Sequence, residues 1–398
     1  MLPVRAVADR MRLYVAVLLA AAAAQAPAAS AAAISPAVQV DLSPLGQGIM
    51  PGELLPLLQF TGNSTLAVAF VVQNPRTESP KLLRRGEVAE QPRFLLQAAL
   101  IDADTGAVLK RAKWPTNRLR HSGLVTALGS EVVVLLGDRV ALFDDNLELI
   151  KQLQLPHGSE WGWRAYASPS GRNILFVSVS RRKQERSAWL WVDASRLQVV
   201  REWSKSPFES LDVSISDSQI FFVDCSRGLH DARACELLAQ PLQSDSPRRV
   251  AIVDWSSVGN LNPRFVAENL LFLATDYGIS IYDLRGSGAI FQSPADRLGP
   301  VVFAVAAPAQ QADRFVVPVL HPEGAALKLE SLDIFDGPHP AHPREVGMRR
   351  GPSLFWLRWL TPGLWPFWFA LSPDGKLLAV MQSFKTLLIF SLPPPDER

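Results

Sequence analysis

The sequence predicts an all-β protein made of about seven copies of one four-stranded unit, and three features carry that prediction. Short apolar runs ending in an aromatic or branched aliphatic residue and then aspartate recur along the chain. A turn residue followed by a β-rich apolar run recurs upstream of each. The two ends of the chain supply complementary parts of one last unit.

The first feature comprises ALID ending at Asp102, VALFD at Asp144, WLWVD at Asp193, ISIYD at Asp283 and LDIFD at Asp336. Two weaker copies, ELLAQ ending at Gln240 and LLIFS ending at Ser391, complete the series. The steps between them run from 42 to 55 residues, with a mean of about 48, the length of one propeller blade. In phase with these lie FTGNSTLAVAF, TALGSEVVVLL, ASPSGRNILFV, SISDSQIFFV, VAENLLFLA and ALSPDGKLLAV, with QQADRFVVPVL as a seventh copy. Each sets a turn former before a run rich in β-branched and aromatic residues. Segments such as GAVLKRAKWP and LQVVREWSK follow the aspartate and supply a fourth strand.

The units resemble those of WD40-like and YVTN-type β-propeller repeats, with SPDGKLLAV and LLIFSL as the most typical pair. The Gly-His and exact Trp-Asp dipeptides of eukaryotic WD40 units are absent. The fold class is therefore a single all-β propeller of about seven four-stranded blades over residues 34–398. After LLIFSL the chain stops in PPPDER, so the last unit lacks an outer strand, while AVQVDLSP at Ala37 to Pro44 is a strand with no unit of its own. Pairing Ala37–Pro44 beside Leu387–Leu392 closes the ring and removes an open edge.

Composition agrees with a turn-rich β protein. Hydrophobic residues make up 48% and charged residues 20%, and 31 Pro and 24 Gly are spread between apolar runs. The formal net charge is only +2, so no strong field recruits nucleic acid or an acidic membrane. Residues 1–33 read as an export signal: Arg5, Arg10 and Arg12 precede the apolar stretch Leu13 to Ala24, and the small-residue run QAPAASAAA follows, with cleavage near Ala31 or Ala33. The alternative is an uncleaved anchor, for which the apolar run is short unless its alanine tail is counted. The expected location is periplasmic or secreted, as a monomer with no membrane span after cleavage.

In an exported chain the two cysteines, Cys225 and Cys235, pair by default, across a hairpin in FFVDCSRGLHDARACELLAQ. A metal site on Cys225, His230 and Cys235 would lack a fourth ligand, so no metal is expected. His121, His157, His230 and His321 map to loops of one face, and His339 and His342 lie in the Pro-rich GPHPAHPR.

In resembling propellers the loop from one outer strand to the next inner strand shares a face with the loop joining the two middle strands, and ligands meet that face or the channel. Here those loops are uneven, with a long charged QNPRTESPKLLRRGEVAEQPR, a basic SRRKQERSA and the cysteine loop. Of 11 tryptophans, Trp114, Trp161, Trp163, Trp203 and Trp255 fall near outer-strand ends or interblade loops and are read as wedges between sheets. The run RGPSLFWLRWLTPGLWPFWF places Trp356, Trp359, Trp365 and Trp368 in one connection broken by Arg358, Pro362 and Pro366. The expected ligand-binding residues are these four tryptophans, with Trp356 or Trp365 exposed beside the basic loop carrying Arg181 and Arg182.

No Cys-x-x-Cys-His haem site, Gly-x-Ser-x-Gly elbow, P-loop or sialidase Asp box is present, and no cofactor is expected. The strand-end aspartates, Asp144, Asp193, Asp283 and Asp336, are expected to bind turn amides in every blade. The expected function is a non-catalytic exported propeller binding a protein or glycan partner on its loop face. The alternatives are a lactonase-like or other hydrolase with acidic or histidine side chains at the channel mouth, which the resemblance to YVTN-type propellers allows, and a structural part of an envelope assembly.

Overall fold

The computed structural model describes residues 33–45, 57–74, 94–116, 122–156, 163–178, 188–203, 213–224, 234–244, 246–254, 262–275, 278–286, 288–294, 306–323, 326–337, 342–354, 368–383 and 385–395. They form seven antiparallel sheets, each a blade counted here in chain order. Blade 3 is typical: an inner strand Trp163–Ala167, a second strand Asn173–Ser178, a third strand Trp189–Asp193 and an outer strand Gln198–Trp203. All seven aspartate-type runs are third strands and all seven upstream runs are second strands, as the spacing predicts.

Burial explains the sequence pattern. Second and third strands are covered on both faces by neighbouring blades, so they read as unbroken apolar runs such as Val132–Leu135 rather than as alternation. Outer strands are covered on one face, and Gln198–Trp203 alternates exposed and half-buried. Among the described residues the large exposed aliphatics, Leu109, Leu149, Ile150, Val200 and Ile252, all lie on outer strands of blades 1 to 4. The core is divided into apolar layers between blades: Trp163, Phe176 and Leu190 pack with Val133 and Leu142 between blades 3 and 2.

The ring closes as the chain ends predict. Val38–Asp41 pairs antiparallel with the last strand, Thr386–Ser391, placing Val38 opposite Ile389 and Asp41 opposite Thr386. The paired segment is shorter than Ala37–Pro44, because Ser43–Leu45 turns into a single 3-10 turn. One feature was not anticipated. Ile34 adds to blade 6 before the chain reaches blade 7: its N–H donates to the Gly347 carbonyl at 3.0 Å and its carbonyl accepts from Arg349 N–H at 2.8 Å. The N-terminal segment thus clasps two blades, not one.

Blade 6 is also larger than its sequence suggests. Its middle hairpin, Arg314–Glu323 with Ala326–Asp336, is long, and Ser353–Leu354 adds beside Leu327 and Lys328. His321 is therefore a strand residue rather than a loop residue, with Nε2 at 2.9 Å from Glu330 Oε2. Among the described residues no helix is long and apolar enough to cross a membrane.

Candidate functional site

A propeller offers two faces and a channel between its inner strands. The turn face carries the tight turns joining inner to second strands and third to outer strands. The loop face carries the interblade connections and the loops joining the middle strands. The sequence places the binding site on the loop face.

On the turn face the strand-end aspartates act as turn caps. Asp102 Oδ1 accepts from the N–H of Asp104 and of Thr105, at 3.0 and 2.8 Å, and from the Thr105 hydroxyl at 2.9 Å. Asp144 accepts from Asn146 and Glu148 N–H, Asp193 from the Ser195 hydroxyl and Arg196 N–H, and Asp283 from Arg285 N–H and its guanidinium. Hydrogen bonds from the Thr105 hydroxyl and N–H hold the Asp102 carboxyl below its usual range. Asp336 has a further role: Arg314 Nε lies 2.5 Å from its Oδ1 and Arg344 Nη2 3.2 Å from its Oδ2, so it anchors an ion network, while the residues of the turn that follows, 338–341, lie outside the described residues. Arg314 is almost fully buried, and its Nη1 also donates to the carbonyls of Gly375 and Pro393 at 2.7 and 3.0 Å, joining blade 6 to the closing blade.

A second repeated device ties the outer strands of blades 2, 3, 4 and 6 to the next blade. Lys151 donates to the Arg196 carbonyl, Arg201 to Leu242, Arg248 to Leu284, and Arg344 Nη2 to Pro394 at 2.8 Å. Each donor stands seven or eight residues after Asp144, Asp193, Gln240 or Asp336. A cation at that offset is the sequence signal that could have revealed these staples.

The turns nearest the axis are linked into a belt. Ser170 Oγ donates to Asp217 Oδ1 at 2.7 Å, and Asp217 N–H donates to Glu268 Oε2 at 2.8 Å, joining blades 3, 4 and 5. Gln311 and Ala312 N–H donate to the Pro373 carbonyl, and Asp374 N–H to Asn63 Oδ1 at 3.2 Å, joining blades 6, 7 and 1. Gln310 Nε2 donates to the Ala127 carbonyl at 3.2 Å. Blades 6 and 2 are not neighbours, so this side chain crosses the channel at its turn-face end. Gly171 of blade 3 sits there in the left-handed region at φ +76°, and a Cβ on it would meet Ala127 O at 2.5 Å. A shallow recess of about 410 Å³ lies farther out on blade 4, edged by Asp217, Gln219, Leu242 and Arg248. Both of its charged groups are already engaged, Asp217 by Ser170 and Arg248 by Leu284.

The expected site lies almost wholly outside the described residues. Trp356, Trp359, Trp365, Arg181 and Arg182 fall there, as do Cys225, His121, His157, His230, His339, Trp161 and Trp255. Trp368 is described and is 1% exposed, packed in the apolar layer that joins blades 6, 7 and 1. It is a wedge, and its inclusion among the ligand-binding rings is corrected: it stands just before the inner strand of blade 7, where the ring fills space between sheets. The wedge reading fits Trp114, which packs on Phe143 with centroids 4.3 Å apart, and Trp163, which is buried. Trp203 is half-buried beneath the Arg201 guanidinium, 4.7 Å from its centroid. Cys235 is buried on the third strand of blade 4.

The solved structures show what this arrangement is similar to. The chain matches one titled "Crystal Structure of Mitotic Checkpoint Complex" with a TM-score of 0.53 and 13% identity, over 92% of this chain and 96% of that one. The fold is a seven-bladed, WD40-like β-propeller. The propeller also matches the Pan2 WD40 domain of Neurospora crassa with a TM-score of 0.52 and 11% identity, over 91% of this chain and 95% of that one. No protein-family model and no curated protein matches the sequence. At such identity the likeness is one of propeller fold alone.

Proposed function

We propose that the chain is an exported, non-catalytic binding propeller that presents its loop face to a protein or glycan partner. A propeller with WD40 neighbours suits a binding role, and one of those neighbours was solved in a structure titled as a complex. The observation that carries the choice of face is Gln310 bound to Ala127 across the channel. With the adjoining belt of turn hydrogen bonds, it commits the polar groups around the turn-face end to holding the ring. On the sequence reading, the uneven loops, the Trp356, Trp359 and Trp365 run and the basic Arg181 and Arg182 loop are assigned to the opposite face. Tryptophan is suited to both expected ligand classes, stacking on sugar faces and anchoring protein interfaces. Export follows from the reading of residues 1–33, and with it a Cys225–Cys235 bridge.

The test is capture from the source's envelope fraction, with residues 34–398 as bait. Trp356→Ala or Trp365→Ala should lose the captured partner while keeping the wild-type melting temperature. Undiminished capture by both variants would defeat the reading, and hydrolysis of a lactone panel by the wild type would favour the enzyme alternative.

A further inference from the structure

Of the eight asparagines in the chain, only Asn63 is followed two places on by a hydroxyl residue, in Asn63-Ser64-Thr65. With a residue other than proline between them, this is the acceptor pattern for N-linked oligosaccharide in a chain that passes through a glycosylating export route.

The fold puts that pattern where a sugar has room. Asn63 is exposed in the turn between the inner strand Leu58–Phe60 and the second strand Thr65–Gln73 of blade 1, on the turn face. A Cβ added to the adjacent Gly62 would meet no atom within 4 Å beyond its chain neighbours, so the turn borders open space. The turn is held by its backbone: Thr61 N–H donates to the Thr65 carbonyl at 2.8 Å, and the Ser64 carbonyl accepts the Ala103 N–H at 2.7 Å.

The two ends of the Asn63 amide differ in their use. Its Oδ1 accepts the Asp374 N–H of blade 7 at 3.2 Å, and only the oxygen of a carboxamide can accept. That bond turns the oxygen toward the closing blade. Among the described residues Nδ2 donates to no partner.

We infer that Asn63 is the acceptor of an N-linked oligosaccharide carried on the turn face, an inference that rests on the export proposed above. In the transfer, Nδ2 forms a bond to the anomeric carbon of an oligosaccharide as the bond from that carbon to a polyprenyl diphosphate breaks. The diphosphate leaves with the electron pair, and one amide proton passes to a base of the transferase. The glycosylated amide keeps its carbonyl oxygen, so the bond to Asp374, and with it the join between blades 7 and 1, survives. A bulky hydrophilic chain at this position covers the turn face and leaves the loop face open to a partner.

The test expresses the full chain, residues 1–33 included, in cells with an N-glycosylating secretory pathway and weighs the secreted product before and after peptide N-glycosidase. A single glycan is expected, removed by that enzyme with an aspartate left in place of Asn63. Asn63→Gln and Thr65→Ala should each lose the glycan completely, and Ser64→Ala should retain it. Thr65→Ala leaves Asn63 and its bond to Asp374 in place, so it serves if Asn63→Gln fails to fold. A secreted wild type with unmodified Asn63, or a glycan that persists in Thr65→Ala, would overturn the inference. If the chain is not secreted, the export reading fails; residues 34–398 behind the host's own leader then test the acceptor alone, and unmodified Asn63 in that product would overturn the inference equally.

Discussion

Gln310 of blade 6 donates from Nε2 to the carbonyl of Ala127 in blade 2 at 3.2 Å, and Gly171 of blade 3 lies against the same carbonyl. Three blades that are not all neighbours thereby meet at one end of the channel. Gly171→Ala should be costly here, since a Cβ would sit 2.5 Å from Ala127 O and 2.7 Å from Thr126 Oγ1, on a backbone at φ +76°. A loss above about 1 kcal/mol in urea unfolding is expected, compared with about 1 kcal/mol for Gln310→Ala.

The seam between blade 6 and the closing blade depends on Arg314. Its guanidinium is nearly fully buried and binds Asp336 and two carbonyls, and Gly375 packs so close that a Cβ there would lie 2.6 Å from Arg314 Cδ. Removing one partner of a buried pair strands the other, so Arg314→Ala should lose roughly 3 to 5 kcal/mol. Urea midpoints and slopes measure it, and a loss below about 1 kcal/mol would show that the network is dispensable.

The clasp of the N-terminal segment separates into two parts. Deleting residues 34–36 removes only the Ile34 bridge to Gly347 and Arg349, and should lower the melting temperature modestly. Deleting residues 34–44 also removes the fourth strand of blade 7 and exposes the edge of Thr386–Ser391, so the whole ring should become unstable and open to limited proteolysis.

Acid should weaken the turn face. Asp102 is held below its usual 3.8 by Thr105, and Asp374 is lowered too, because the Ser372 hydroxyl and Lys376 outweigh the burial that would raise it. A carboxyl with a depressed folded value stabilises the protein fully above the unfolded value and loses that stabilisation as pH falls through the folded one. The stabilisation should therefore be complete above about pH 4 and fade below it. Asp102→Asn and Asp374→Asn should flatten that acid limb in a melting-temperature profile.

A Cys225–Cys235 bridge would close a short loop, worth about 2 to 3 kcal/mol in the chain-entropy model. Mass spectrometry of alkylated protein from its native compartment should find no free thiol, and reduction should lower the melting temperature without abolishing folding.

The repeat was legible because second and third strands are buried on both faces, which forces unbroken apolar runs at blade spacing, and because an outer strand missing after Ser391 had its match at Val38–Asp41. Ile34 and the Ser353–Leu354 strand were not legible, since such short pairings are set by where the blades bring the backbone and leave no pattern in side chains. Asp336 has the same motif as Asp102 yet pairs with Arg314, twenty-two residues earlier on the neighbouring strand, a partner that only the register reveals. Trp368 read as one of the ligand-binding rings because proline and arginine interrupt its segment, but it lies at the end of that segment, just before the inner strand begins.

The central claim is that the partner docks on the loop face while the turn face holds the ring. Hydrogen–deuterium exchange of residues 34–398, free and with its captured partner, tests this directly. Protection should appear in peptides spanning 75–93, 179–187 and 355–367, with the turns at 102–107, 144–148 and 193–197 unchanged. Protection confined to those turns, or to the blade 4 recess at Gln219 and Leu242, would contradict it.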